Sequence, residues 1–87
     1  MSEELQPIGQ VTHYFDRIHV AVIRLLDHMA LGDWVHFYGH HTNFVQAVES
    51  MQINHQPIEE AFANDEVALL VADEVHKGDW VYPYNPT

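Results

Sequence analysis

The stretch Ile18-His19-Val20-Ala21-Val22-Ile23-Arg24-Leu25-Leu26-Asp27-His28-Met29 admits two readings, and the fold class turns on which one holds. As a helix it lines Ile18, Ala21, Val22, Leu25, Leu26 and Met29 along one face, with Asp16 placed to cap the first turn. As a strand it absorbs the β-branched density of His19 to Ile23, including Val20 and Ile23, which a helix would turn towards water. Periodicity by itself leaves both open.

The segments around it are easier to read. Gly32-Asp33-Trp34-Val35 recurs unchanged as Gly78-Asp79-Trp80-Val81, and a looser copy is Asn64-Asp65-Glu66-Val67. Glycine reaches positive φ without steric cost, asparagine tolerates it, and an aspartate carboxylate accepts hydrogen bonds from backbone amides in a turn. Gly32, Asp33, Asn64, Asp65, Gly78 and Asp79 therefore read as structural turn residues, each pair feeding a strand. The copies lie 32 and 14 residues apart, too unequal for a solenoid period. Three strands follow directly: Trp34 to Tyr38, Glu66 to Val71 and Trp80 to Tyr84. Ile8 to Phe15, Ile18 to Leu25 and Phe44 to Ile53 supply three more candidates, the last ending in an Asn54-His55-Gln56-Pro57 turn. Pro57 to Ala63 reads as a connection, with a single helical turn from Pro57 as the other possibility.

Six short strands without a long helix are expected to close into a barrel or sandwich, because an open sheet this small leaves exposed edges. No linker or low-complexity segment divides the chain. The expected organisation is a loose tail over 1–7, one domain over 8–84 and a C-terminal tail over 85–87. At 87 residues and 47% apolar the chain is globular in composition, yet a domain of this size buries only about 60% of its unfolded surface. A deep, water-excluding enzyme cleft does not fit within it.

Charge restricts the partners. Thirteen acids against three bases give a formal charge of −10, and only Arg17, Arg24 and Lys77 are permanent cations. Such a chain repels phosphate backbones and supplies no basic track, so RNA or the ribosome is an expected contact only with help from a basic partner. Protonation of all eight histidines would move the charge towards −2. No cysteine is present, which excludes disulfides, a thiolate nucleophile and Cys-ligated zinc. No apolar run approaches the ~20 residues of a membrane-spanning helix, and Met1 to Gln10 is acidic where a signal peptide would be basic. The expectation is a cytoplasmic protein without a membrane partner.

The order of these pieces resembles a known family. Ile8-Gly9-Gln10-Val11, Leu31-Gly32-Asp33-Trp34-Val35 with Gly39 soon after, Val48-Glu49-Ser50-Met51-Gln52-Ile53, Ala61-Phe62-Ala63-Asn64-Asp65-Glu66-Val67 and Gly78-Asp79-Trp80-Val81 are similar to the second domain of translational GTPases, the β-barrel of elongation factor Tu. The pattern is closer still to small translation elongation factor-like proteins and to the C-terminal barrel of collagenase-like peptidases, over about residues 8 to 82. The resemblance favours strand for Ile18 to Leu25. It implies an all-β, closed or partly open six-stranded barrel that packs against another domain or helps hold RNA, without catalysis or cofactor. No Gly-x-x-x-x-Gly-Lys-Ser/Thr occurs, so no GTP binding by this chain alone is expected. Two departures stand out: Asn64 replaces a usual glycine, and Trp34 and Trp80 stand where a small or polar residue is more usual.

Those tryptophans define the candidate site. Alternation puts Val35 and Phe37 on one strand face and Trp34, His36 and Tyr38 on the other, while Val81 opposes Trp80, Tyr82 and Tyr84. With the valines inward beside Val67 and Leu69, six rings form an outward interaction face, expected to bind another protein. Ordinary packing under a neighbouring segment is the competing reading; serine at Trp34 and Trp80 should then collapse the melting temperature, whereas on an interaction face it should barely alter it. The expected function is thus a non-catalytic, elongation factor-like binding module, with a translation-associated adaptor contacting tRNA or ribosome as the alternative. A metal site at His36, His40 and His41 is not expected, since His36 and His40 would lie roughly 13 Å apart along a strand and could converge only if Gly39 reverses the chain. Ser2 falls in the expected loose tail, Ser50 follows Glu49 in a strand without an exposing elbow, and adjacent Glu59 and Glu60 read as a solvated loop.

Overall fold

Between Ile18 and Met29 the chain forms a strand over Val20–Leu25, not a helix. In the computed structural model, which describes residues 5–87, strand β2 (Val20–Leu25) buries Ala21, Ile23 and Leu25 completely. Ile18 and Leu26, which a helix would have buried, are 60% and 49% exposed. The reason is tertiary: β2 pairs antiparallel with β1 (Gly9–Phe15) on one side and β9 (Glu66–Leu70) on the other, so only an alternating chain can bury Ile23. The β1–β2 turn takes four residues, not two, and His19 closes it with φ 56°. That removes Ile18 and His19 from the expected strand.

The other strands are β3 (Met29–Ala30), β4 (Trp34–Gly39), β5 (Thr42–Ala47), β6 (Met51–Ile53), β7 (Gln56–Pro57), β8 (Glu60–Ala61) and β10 (Trp80–Pro83). The domain is all-β. Eight strands form one sheet in the order β5-β4-β10-β1-β2-β9-β6-β7, and β3 pairs with β8 as a separate ribbon. The ladder is therefore open, with β5 and β7 at its edges, and among the described residues ten strands stand where six were expected. The extra strands come from three places, the first being β3 at Met29–Ala30, which pairs with β8. Pro57 to Ala63 holds short ladder segments in place of a helical turn, because Asn54 and His55, at φ 51° and 64°, turn the chain back so that Gln56 and Pro57 pair with β6. The run Phe44 to Ile53 also breaks: β5 pairs with β4, whereas β6 pairs with β9. Gln46 draws the curled sheet together near its β5 edge, its side chain donating to the Leu70 carbonyl at 3.0 Å and accepting from the Ala72 amide at 2.7 Å.

The three copies of the turn share one geometry. Asp33 accepts from the Ala30 amide at 2.9 Å, Asp65 from Phe62 at 2.9 Å and Asp79 from His76 at 2.8 Å, each through its carboxylate. In each, the aspartate amide also returns a hydrogen bond to the carbonyl of that same residue three positions earlier. The residue before the aspartate has φ 91°, 77° and 96° at Gly32, Asn64 and Gly78. Each turn then forms a reciprocal backbone pair with one buried residue: Gly32 and Asp33 with Val48, Asn64 and Asp65 with Leu25, Gly78 and Asp79 with Val11. The repeated tetrapeptide is thus a repeated clamp that fixes a strand start against the core.

Val35, Phe37, Val67, Leu69 and Val81 meet in a single core with the rest of the buried set, each at most 1% exposed. Their sequence neighbours look away. In β1 an extra residue between Val11 and His13 shifts the register, so alternation reverses: Tyr14 packs against the core and Phe15 is 51% exposed. Of the expected tails, residues 1–4 lie outside the described residues, as does Ser2. At the other end, Tyr84 is tied back, its amide donating to the Trp34 carbonyl at 3.1 Å.

Candidate functional site

The outward faces of β4 and β10 carry five of the six expected rings, and Tyr84 follows immediately after β10. Trp80 sits directly opposite Tyr38 and Tyr82 opposite His36 in the antiparallel ladder. Trp34 and Tyr84 approach with centroids 6.5 Å apart, His36 and Tyr84 at 6.5 Å, and His36 and Tyr38 at 5.7 Å edge-on. Asn43, on neighbouring β5, holds His36 Nε2 at 2.6 Å through its side-chain oxygen. The strip is continuous because side chains on alternate residues of adjacent strands stack along one face.

The strip divides into two parts. Tyr38, Trp80 and Tyr82 line an open cleft of about 810 Å³, together with Gly39, His40, His41, His76, Lys77, Gly78 and Asp79. Trp34, His36 and Tyr84 extend the aromatic surface outside it. Of the turn residues, Gly78 and Asp79 belong to the cleft, whereas Gly32, Asp33, Asn64 and Asp65 lie in the other two clamps. A second depression of about 440 Å³ shares Tyr38, Gly39, His40 and His41 with the first and adds Thr42, Asn43, Phe44, Asp73 and Glu74. Trp34 is 39% and Trp80 37% exposed, so each is partly covered by its neighbours and partly open to solvent. Serine at either is expected to lower Tm by about 4–8 °C, the shift of about 1 kcal/mol in a domain of this size, with the transition still cooperative by calorimetry. A melt without a transition would assign the indoles to the core.

Asp79 organises the cleft. It is 6% exposed, unlike its exposed counterpart Asp33, and its Oδ2 accepts from both the His76 amide and the Thr42 hydroxyl. Thr42 Oγ also lies 3.0 Å from Nδ1 of His76. With its one proton given to Asp79, the Thr42 hydroxyl accepts from this nitrogen, so the ring proton is assigned to Nδ1. Nε2 then faces Glu74, 3.8 Å away. Gly39 is required here: a Cβ on it would overlap the Asp79 carboxylate, whose position is set by these bonds.

Threonine, histidine and aspartate in contact invite comparison with a hydrolytic triad, but the geometry is different. In a triad the histidine stands between the acid and the hydroxyl and takes the hydroxyl proton. Here Thr42 is 3% exposed, donates straight to the carboxylate, and meets His76 through the same nitrogen that lies 3.7 Å from Asp79. The cluster locks the Gly39–Thr42 hairpin onto the His76–Asp79 turn. His40 and His41 have centroids 6.5 Å apart and His41 and His76 5.9 Å, and among the described residues no three metal-ligating side chains gather around one point. Ser50 and Glu59 are exposed away from these lining residues, and Glu60 pairs with His28 at 3.3 Å. Sequence reasoning missed Thr42 and His76, and named Gly39 and Lys77 without assigning them to the site. The recurring Gly-Asp marked one side of their contact, but nothing local to Thr42 announces a partner 37 residues away.

Comparison with known proteins gives no match to a family model. Over 76 residues the chain is 36% identical to an uncharacterized protease of Methanocaldococcus jannaschii, covering 86% of this chain. The chain spans about a fifth (19%) of that protein's length. Among solved structures, the C-terminal domain of a candidate U32 peptidase of Geobacillus thermoleovorans superposes with a TM-score of 0.87 at 22% identity, covering 92% of this chain and 93% of that one. Its selenomethionine variant gives 0.84 at 21%, covering 88% and 98%. This is the fold of a U32 peptidase C-terminal domain.

Of the three likenesses read from the sequence, the one to a peptidase C-terminal domain is the one these comparisons carry. The expected elongation factor-like docking module, and its alternative as a translation-associated adaptor contacting tRNA or ribosome, are corrected accordingly: the similar proteins are named as peptidases, not translation factors. The Gly-Asp turns and alternating strands that suggested translation factors are backbone solutions for a small curled sheet, and a shared backbone does not transmit a function.

Proposed function

We propose that this chain is a peptidase-associated accessory domain that holds polypeptide substrate in the Tyr38–Trp80–Tyr82 cleft and leaves bond cleavage to another domain. The observation that carries the reading is the cleft itself: three aromatic side chains on two neighbouring strands, beside a hairpin and a turn locked together by Asp79. Large rings on a rigid sheet bury ligand surface at little entropic cost, which suits extended peptide. The likeness to part of a longer protease supports placing this domain beside a catalytic region, since such a match covers only a small share of that protein. The Thr42 hydroxyl, committed to Asp79, supports binding over hydrolysis.

Calorimetric titration of the whole chain with short unstructured peptides of varied composition tests the reading. Micromolar to millimolar binding is expected, weakened about tenfold by Trp80→Leu, because aromatic anchors dominate such contacts. Absence of binding by every peptide, or binding indifferent to Trp80→Leu, overturns the peptide-holding role. Cleavage of the peptides by the purified chain overturns the division of labour.

A further inference from the structure

We infer that the cleft selects polypeptide segments carrying a cationic side chain, a lysine or arginine placed over Tyr38 and Trp80 with its charge directed to Asp73 and Glu74. The inference rests on the reading of the cleft as a polypeptide site and adds a substrate class to it. Two features of the surface converge on this choice. First, Tyr38 and Trp80 are direct cross-strand partners, 49% and 37% exposed, so ring surface is available where the cleft opens. Aromatic faces attract ammonium and guanidinium groups through the ring quadrupole. Second, the adjoining depression shares Tyr38, Gly39, His40 and His41 with the cleft and is lined by Asp73 and Glu74.

The carboxylates remain available to a ligand. Asp73 Oδ1 accepts the Glu74 amide at 2.7 Å, and Glu74 lies 3.8 Å from His76 Nε2 with its side chain 66% exposed. Neither carboxylate faces a lysine or arginine within salt-bridge distance among the described residues. Burial first, then the charges of Glu74, Asp16 and Asp73, push the Tyr14 phenol above its ordinary pKa of 10.0. A chain of charge −10 adds a long-range attraction for any basic segment. Lys77 is the opposing charge, on the cleft itself, and it sets the end at which a ligand cation would be repelled. Charge complementarity therefore points to a basic peptide, and against a nucleic acid.

The test is calorimetric titration of the intact chain with three probes: a capped tetralysine peptide, the same peptide with its lysines acetylated, and a short oligouridylate. The tetralysine peptide is expected to bind at least about tenfold more tightly than its acetylated copy, with the gap shrinking as salt rises. Asp73→Asn with Glu74→Gln, both surface changes, should reduce that preference at least about fivefold while Tm stays within a few degrees. Equal affinity for the two peptides overturns the cation selectivity and leaves the peptide-holding role standing. Binding of neither peptide overturns both. A lysine preference untouched by the double variant overturns the assignment to Asp73 and Glu74, and oligouridylate binding in preference to peptide overturns the choice of partner.

Discussion

Phe37→Ala is expected to cost about 3–5 kcal/mol of folding free energy, by far the heaviest loss from any single truncation on the strands that carry the cleft. Phe37 has no exposed surface and stacks on Phe44, its direct ladder partner, with centroids 5.1 Å apart and planes at 20°. Removing it opens a cavity under β4 that neighbours on a pleated sheet cannot fill without breaking the β4–β5 and β4–β10 pairings. A domain of 87 residues has a total stability of about 4–13 kcal/mol, so the variant should stand near its unfolding threshold. Phe62 serves as the control: it is 55% exposed and touches His28 at 5.4 Å, and its alanine variant should stay within about 1 kcal/mol of wild type. Urea titration of the three proteins reads both values. A Phe62→Ala loss equal to that of Phe37→Ala would contradict the one-sided core.

Among the three aspartates that close the repeated turn, Asp79→Ala should be the most damaging, at about 2–4 kcal/mol, against about 1 kcal/mol for Asp33→Ala. Both make the same bond to the amide three residues back. The difference is the environment: Asp33 is exposed, whereas Asp79 is 6% exposed and also holds Thr42. Without that carboxylate, the buried Thr42 hydroxyl and the His76 amide lose their acceptor where water enters poorly, and the hairpin carrying His40 and His41 is released from the turn. Urea titration gives the ranking, and faster hydrogen exchange at the His76 amide in Asp79→Ala reports the release. Equal losses at the two sites would mean that the Thr42 contact adds nothing to the turn.

The candidate site was legible to different depths at different residues. Trp34, His36, Tyr38, Trp80, Tyr82 and Tyr84 could be placed on one face because strand alternation is a local rule, and Val35, Phe37 and Val81 mark the buried side. What alternation does not contain is which strands are neighbours. Tyr38 meets Trp80 only because β10 returns to lie beside β4, 42 positions on in the register. His76, Lys77 and Thr42 sit in turns, where no periodicity constrains side-chain direction, and their role appears only when the Gly39–Thr42 hairpin and the His76–Asp79 turn are brought together.

By itself, the sequence determined the strands that follow its turns, Trp34 to Tyr38, Glu66 to Val71 and Trp80 to Tyr84: β-branched and aromatic runs too short for helices, each fed by a Gly-Asp or Asn-Asp turn whose backbone demands are met within four residues. It also determined the sign of the surface, since 13 acids and 3 bases leave −10 however the chain folds. The tertiary structure decided the rest. Ile18 to Met29 had a helical face as well as a strand face, and the choice fell to pairing with β1 and β9, which no local propensity encodes. The run Phe44 to Ile53 was continuous as hydrophobic text, yet it divides where Val48 pairs with Gly32 and Asp33, sending β5 to β4 and β6 to β9. Partner choice of this kind depends on hydrogen bonds between residues far apart in the chain, so the cleft, its buried aspartate and its adjoining carboxylates exist only once the sheet has curled.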